Sequence, residues 1–247
     1  MATTGSRRKL ALVIGIGEYE GGQKLPNAEN DANEMSAVLE KIGFIVTKKL
    51  HSARIEMRFA LVAFEESITS SDVVLFYFAG HGTQLENHNY LIPKDNNGID
   101  NASLKTIAID AQKVLDEFSV RDPFLTIFLL DCCRTYDVRS SNSNPRNPTG
   151  NEPKLNGLKA MDAKAGSLIA FACAAGATAD DGIGQKNGLF TKHLLKHIAI
   201  PKQDIRTTLA LVTDGVMAES NSRQIPFVNL SLRYPHIPLC DELSGKY

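Results

Sequence analysis

The stretch Lys9-Leu10-Ala11-Leu12-Val13-Ile14-Gly15 decides the fold class of this chain. After its lysine the run is apolar and closes on a glycine, a pattern that predicts a strand buried on both faces of a sheet. Residues Asn30–Ile42 then place apolar side chains on one helical face, with Asn30 as the expected N-cap and Gly43 as the stop. A second strand is predicted over Phe44–Thr47. The order strand, helix, strand indicates an α/β protein.

The same cycle repeats along the rest of the chain. Helices are predicted over Arg54–Ile68, Asp110–Phe118, Leu189–Ile198 and Ile205–Ala218, and strands over Asp72–Phe78, Phe124–Leu130, Ser167–Cys173 and Pro226–Leu230. This alternation predicts a mainly parallel central sheet of about six strands with helices on both faces. The proline that opens the last strand suits a sheet edge, because proline cannot donate to a ladder.

Composition and charge exclude several function classes. The 247 residues carry 27 basic and 28 acidic side chains, so the net charge of -1 offers no positive field for nucleic acid or anionic lipid. No apolar run approaches the roughly 20 residues of a membrane span, and residues 1–9 lack the hydrophobic stretch of a signal peptide. The four cysteines lack disulfide-framework spacing, which fits a reducing compartment. We therefore expect a cytoplasmic protein that binds neither nucleic acid nor membrane.

Two polar motifs end predicted strands. Phe78-Ala79-Gly80-His81-Gly82 sets a histidine between glycines, and Leu129-Leu130-Asp131-Cys132-Cys133-Arg134 closes an apolar run with two cysteines. The carboxyl ends of neighbouring parallel strands meet at one edge of a sheet, where open α/β sheets build their sites. A histidine and a cysteine that meet there can act as base and nucleophile.

These motifs stand in the order and at the spacing of a known family, together with Asn30-Asp31-Ala32 and Asn89-Tyr90-Leu91-Ile92-Pro93. On them the chain resembles the caspase-like cysteine peptidases, most of all the paracaspases, with metacaspases next. The resemblance implies a caspase-like three-layer α/β/α sandwich. We expect one peptidase domain over residues 9–236, with a flexible lead at 1–8, a long mobile loop at 136–164 and a C-terminal tail at 237–247.

The resemblance assigns the catalytic pair to His81 and Cys133. The family's nucleophile stands two residues after the polar residue at the strand end, which selects Cys133 over Cys132. Neighbouring side chains on a strand also face opposite ways, so only one can face a cleft. We interpret Cys132, Cys173 and Cys240 as small buried hydrophobes. The amides of Gly82 and Cys133 are the expected oxyanion hole.

An aspartate, Asp131, stands where caspases proper place a glutamine. An acid beside the cleft favours Arg or Lys before the scissile bond, which is the preference of paracaspases, so we expect peptide or protein substrates with a basic residue there. In the paracaspase pattern three acids form this pocket, and they fall on Asp31, Asp131 and Asp181. Asp180 is an alternative to Asp181, and this pair could instead hold calcium, as acidic loops do in metacaspases. We favour the pocket and expect no metal and no cofactor.

Two of these residue assignments have structural alternatives. Asp31 could simply cap the helix it opens. His193 and His197 stand four apart in a predicted helix, which is also a spacing of metal ligands, but we interpret them as a solvated face.

The function has alternatives as well. One is a caspase-like pseudoenzyme that scaffolds signalling complexes, and another is a caspase with aspartate specificity. Resemblance to caspases and paracaspases implies a homodimer through the edge strand at 226–230, whereas metacaspases are typically monomers. Basic residues within 136–164 lead us to expect that the enzyme cuts itself there, as related peptidases do.

Overall fold

The computed structural model describes residues 7–22, 24–133, 158, 160–173 and 185–241. Strands and helices alternate along most of this length, as the sequence predicts. The strands are β1 (Lys9–Gly15), β2 (Phe44–Leu50), β3 (Val73–Leu85), β4 (His88–Leu91), β5 (Ile109–Asp110), β6 (Leu125–Cys133), β7 (Ser167–Phe171) and β8 (Phe227–Ser231). The helices are α1 (Ala28–Lys41), α2 (Arg54–Ser67), α3 (Leu104–Ile107), α4 (Ala111–Val120), α5 (Leu189–His197) and α6 (Ile205–Glu219).

Six strands form one continuous sheet in the order β2-β1-β3-β6-β7-β8. Neighbours in this order pair in parallel, except that β8 runs antiparallel to β7 at one edge. The short strands β4 and β5 extend from the far end of β3 as antiparallel partners. The predicted mainly parallel sheet is therefore confirmed, with the proline-led strand at its edge.

Consecutive residues of β3 show that helices cover both faces of the sheet. Phe76 lies against Phe118 of α4, with ring centroids 6.2 Å apart, whereas the hydroxyl of Tyr77 is 2.6 Å from that of Thr191 on α5. Because successive strand side chains point to opposite faces, α4 and α5 lie on opposite sides. Helix α5 contacts α1 and α6, and α4 contacts α2. The fold is the three-layer α/β/α sandwich.

An aromatic layer fixes the α4 side of the sheet. Phe76 of β3, Phe128 of β6 and Phe118 of α4 are wholly buried, and Phe64 of α2 packs against Phe118 at 5.3 Å. Full burial of one such side chain stabilises the fold by about 2 to 3 kcal/mol. The layer holds β3 and β6 side by side, which matters because these two strands carry the predicted catalytic residues.

Some predicted boundaries differ from the observed ones. Helix α1 begins at Ala28 with Asn27 as its N-cap, so the expected cap at Asn30 is wrong. The Asn30 side chain instead donates to the carbonyl of Lys186 in the segment before α5. Strand β3 runs on to Leu85, because beyond the predicted end it still pairs with β6 as far as His81 and then pairs with β4. The elements β4, β5 and α3 are too short to produce a periodic pattern.

The expectation for His193 is also wrong. This side chain is buried between α5 and α6, where Nε2 lies 3.0 Å from Oε2 of Glu219. Gly215 of α6 makes room for it, since a Cβ at that position would lie 2.2 Å from Nδ1 of His193. The histidine therefore joins two helices.

Within the described ranges, no helix combines the length and the apolar character that crossing a bilayer requires.

Candidate active site

The predicted catalytic residues occupy paired positions on neighbouring strands. His81 of β3 and Cys133 of β6 are Cα partners, and theirs is the last pair of the parallel β3–β6 ladder. Paired strands lie about 4.8 Å apart, so the two backbones are adjacent at this point. The hydrophobic runs before each motif set this register, because one buried ladder spans Val73 to His81 and Leu125 to Cys133.

His81 is buried against a tyrosine that the sequence did not single out. His81 is only 4% exposed, and the centroid of its imidazole ring lies 4.5 Å from that of the Tyr19 ring. The amide of His81 donates to the Tyr19 hydroxyl over 2.7 Å. Tyr19 belongs to the segment between β1 and α1, whose composition gave no hint of a contact with β3.

Gly82 lies where the parallel ladder gives way to the antiparallel pairing with β4. The amide of Ile92 donates to the carbonyl of His81, so Gly82 and its partner Leu91 form a non-hydrogen-bonded pair. A Cβ at Gly82 would lie 3.0 Å from the Cβ of Cys132 and 3.5 Å from Leu158. The position is therefore tight, and the Gly82 amide points away from β4 and toward β6.

Cys132 is a poor nucleophile in this setting. It is 1% exposed, and burial, with Asp131 and Cys173 nearby, raises the pKa of its thiol well above the usual value. A raised pKa leaves almost no thiolate near neutral pH. Cys173 and Cys240 are also buried free thiols, as the sequence predicts for all three. For Cys133 the structure describes the backbone, which belongs to β6.

Asp31 reaches across from α1 to the start of α5. Its carboxylate accepts from Asn187 Nδ2 over 2.9 Å and from the amide of Gly188, the N-cap of α5, over 3.2 Å. It does not cap its own helix, since α1 begins three residues earlier with Asn27 as its N-cap. A carboxylate at a helix N-terminus also gains from the helix dipole. Asp31 thus links α1 to the start of α5.

Asp131 lies at the end of a hydrogen-bonded chain of hydroxyls. Thr191 Oγ1 donates to Asp131 Oδ2 over 2.6 Å, and the Tyr77 hydroxyl is 2.6 Å from the same Oγ1. Threonine has one hydroxyl proton, which goes to the carboxylate, so Tyr77 donates to Thr191. Burial, with Asp131 and Asp31 nearby, raises the pKa of Tyr77 well above its usual value, which keeps that proton in place. These two hydrogen bonds hold the Asp131 carboxylate in one orientation.

Gly188 brings the two acids to a common point. A Cβ on this residue would lie 3.1 Å from Oδ2 of Asp31 and 3.4 Å from Oδ2 of Asp131. Burial, together with the neighbouring Asp131, raises the pKa of the Asp31 carboxyl to about 8, although the hydrogen bonds from Asn187 and Gly188 oppose the rise. Two carboxyl groups that interact in this way cannot both ionise without cost, so the pair favours a proton or a cation beside it.

Asp180 and Asp181 lie outside the described residues, as does most of the 136–164 loop. Among the residues that are described, no three His, Cys, Asp or Glu side chains are grouped so that they could hold a metal ion.

The site contains residues that the sequence did not single out. Tyr19, Asn187, Gly188 and Thr191 each contact a predicted site residue, and Tyr77 is linked to Asp131 through the Thr191 hydroxyl. A weak signal existed for two of them, because Asn187 and Gly188 end a polar loop immediately before a predicted helix. For the other three only the tertiary fold brings the side chain to the site.

Comparison with known proteins identifies the family. The family model described as the caspase domain matches residues 8–236. The chain belongs to the caspase domain family. Its relatives in that family include a paracaspase of Dictyostelium discoideum, 23% identical over 216 residues that make up 85% of this chain and 48% of that protein. The human mucosa-associated lymphoid tissue lymphoma translocation protein 1 is 27% identical over 191 residues, covering 76% of this chain and 21% of the relative. This chain therefore spans about half and about a fifth of the length of these two proteins.

Solved caspase structures share the fold. A structure of pro-Sf-caspase-1 superposes with a TM-score of 0.69 at 17% identity, covering 99% of this chain and 94% of the other. Caspase-1 from Spodoptera frugiperda gives a TM-score of 0.67 at 17% identity, covering 97% and 92%. This caspase-family chain therefore keeps the caspase architecture at low sequence identity.

Proposed function

We propose that the protein is a cysteine endopeptidase that cleaves after arginine or lysine. The observation that carries the proposal is the pairing of His81 with Cys133 at the carboxyl-end region of two adjacent parallel strands. Membership of a peptidase family and a paracaspase among the relatives support the same reaction class.

In the proposed reaction the Cys133 thiol is the nucleophile and His81 is its base. The imidazole takes the thiol proton, the sulfur attacks the scissile carbonyl, and the resulting tetrahedral oxyanion collapses with loss of the amine, which receives the proton from His81. Water then hydrolyses the thioester, returning the thiol. The inert environment of Cys132 supports Cys133 as the nucleophile of the pair.

The amides of Gly82 and Cys133 are the proposed oxyanion donors. The Gly82 amide faces β6 beside Cys133 and away from β4, and the residue tolerates little added bulk. Removing one such donor typically costs about 100-fold to 1,000-fold in rate.

The acid pair Asp31 and Asp131 is the proposed recognition site for the basic side chain. Both carboxylates converge on Gly188, and each is held by hydrogen bonds from the start of α5. An arriving guanidinium or ammonium would stabilise both carboxylates in their ionised form, whereas an aspartate would be repelled. Asp181, or Asp180 in its place, completes the pocket in this proposal.

Covalent labelling tests the nucleophile. A peptidyl arginine chloromethylketone should add one inhibitor mass to the wild type and to Cys132→Ala, and none to Cys133→Ala, as read by intact-mass spectrometry. The neighbouring cysteine is the matched control. Equal labelling of Cys133→Ala would refute the assignment, and a folded wild type that takes no label would favour the scaffolding pseudoenzyme.

Paired fluorogenic peptides that end in Arg or Asp test the specificity. The Arg peptide should be cut faster, and faster cleavage of the Asp peptide would instead indicate a caspase with aspartate specificity. Running the assay with calcium and with a chelator tests the calcium alternative, for which we expect no difference. Long incubation of wild type and Cys133→Ala, followed by gel analysis, tests self-cleavage within 136–164, where identical single bands would rule it out.

A further inference from the structure

Tyr19 completes the backbone hydrogen bonding of His81 at the point where strand β1 ends. The β1–β3 ladder stops at the pair Gly15 and Ala79, and Ile16 then donates its amide to the carbonyl of Ala79. Along a strand, backbone groups two residues apart point to the same side, so the amide of His81 also faces the β1 side. No carbonyl of β1 serves as its acceptor, because β1 has ended. The Tyr19 hydroxyl accepts this amide proton over 2.7 Å instead.

The tyrosine ring also contacts the imidazole. The two ring centroids lie 4.5 Å apart with their planes at 43°, and both residues are at least nine-tenths buried. One side chain therefore sets both the backbone and the ring of His81.

Gly80 leaves the space that Tyr19 needs. A Cβ there would lie 2.8 Å from the Tyr19 hydroxyl and 2.8 Å from Cζ of Phe78. The space that Tyr19 occupies therefore explains the glycine before His81, without any role of that glycine in catalysis.

The segment that carries Tyr19 is itself held in place. The amides of Gly17 and Glu18 each donate a hydrogen bond to Nδ1 of His51 over 3.2 Å. Leu25 donates to the carbonyl of Gly17, and Glu20 donates to the carbonyl of Lys94. These anchors make the hydroxyl of Tyr19 a fixed acceptor.

We propose that Tyr19 is a positioning residue that orients His81 for proton transfer with the nucleophile. The inference rests on the proposed function, because it assigns a task to a residue of that site. A misplacement of about 1 Å in a catalytic group can cost on the order of 100-fold in rate. Loss of the Tyr19 hydroxyl removes the acceptor of a buried amide, and the strand end must shift to satisfy it.

Tyr19→Phe tests the proposal because it keeps the ring and removes only the acceptor. Active sites are first titrated with the arginine chloromethylketone, so that the turnover number refers to competent enzyme alone. We expect kcat per titrated site for the Arg peptide to fall by about 10-fold or more, with KM within about twofold, since the acid pair is untouched. The pH profile of kcat/KM should change as well, because the shift of the strand end moves the imidazole of His81 relative to the ring at position 19. Tyr234→Phe, a tyrosine stacked on Phe124 away from the site, is the matched control.

A purely structural role gives a different result. It would lower the melting temperature and the titrated fraction, while kcat per site and the pH profile would stay at the wild-type values, and that outcome overturns the proposal. If Tyr19→Phe does not fold, Gly80→Ala displaces the same hydroxyl from the other side, and an unchanged kcat per site in that variant is equally decisive against it. A wild type without activity would count against the proposed function instead.

Discussion

Asp31 combines burial with a charged neighbour, and its stability contribution should depend on pH. Its pKa in the folded protein is about 8, whereas an unfolded aspartate has a pKa of about 3.9. Between these values the folded state binds more protons than the unfolded state, so the Asp31 contribution to stability falls as pH rises from about 4 to about 8. The variant Asp31→Asn cannot ionise. We expect the melting temperature of Asp31→Asn minus that of the wild type to be more positive at pH 8 than at pH 5.

The control for this measurement is Glu66→Gln, which removes an exposed carboxyl on α2. Its melting-temperature difference from wild type should be the same at both pH values. A difference for Asp31→Asn that is likewise independent of pH would contradict the raised pKa.

Thr191 should matter for binding more than for chemistry. Thr191→Val breaks the hydrogen-bonded chain from Tyr77 to Asp131 and leaves a buried phenol without its acceptor. We expect KM for the Arg peptide to rise several-fold with little change in kcat, and stability to fall by about 1 to 3 kcal/mol. Thr191→Ser keeps the hydroxyl and should restore KM. If serine fails where threonine succeeds, the shape of the side chain and not the hydroxyl orients Asp131.

Helix α5 contacts the acid pair Asp31 and Asp131 at its first turn, and further along it packs against α6 through His193. Gly215→Ala would set a Cβ 2.2 Å from Nδ1 of His193, so the α5–α6 contact must open. We expect a loss of about 1 to 3 kcal/mol in the free energy of unfolding, measured by urea titration. The double variant with His193→Ala removes the clash and should recover part of the loss. Strictly additive losses would show that the clash is absent.

The elements themselves were largely predictable, and the reason is the strength of their patterns. Strand β1 begins and ends as predicted, because an apolar run bounded by glycine has few alternatives. His81, Cys133, Asp31 and Asp131 could be chosen from motifs of a few residues. Tyr19, Thr191 and Tyr77 could not, because a contact between residues 62, 60 or 114 positions apart leaves no local pattern. His193 was misjudged for the same reason, since its cavity comes from a glycine on another helix.

The two edges of the sheet lead to different expectations for assembly. Phe227 and Leu230 of β8 are 39% and 45% exposed on an antiparallel edge, and β2 exposes Ile45 at the opposite edge. If the molecule dimerises through β8, Leu230→Lys should shift sedimentation toward monomer and make activity fall more steeply on dilution. Ile45→Lys is the control at the other edge and should leave both unchanged. A reversal of these results would place the interface at β2.

Tyr77 gives the molecule an internal optical reporter. The chain has six tyrosines and no tryptophan, so tyrosine emission is not lost by energy transfer to an indole. Tyr77 is wholly buried, and one threonine hydroxyl separates it from Asp131. A cation that settles beside that carboxylate changes the electric field at the phenol and hence its ultraviolet emission. If the acid pair binds a basic side chain as proposed, we expect its occupancy to change the intrinsic fluorescence, without a label and without any bond being cut.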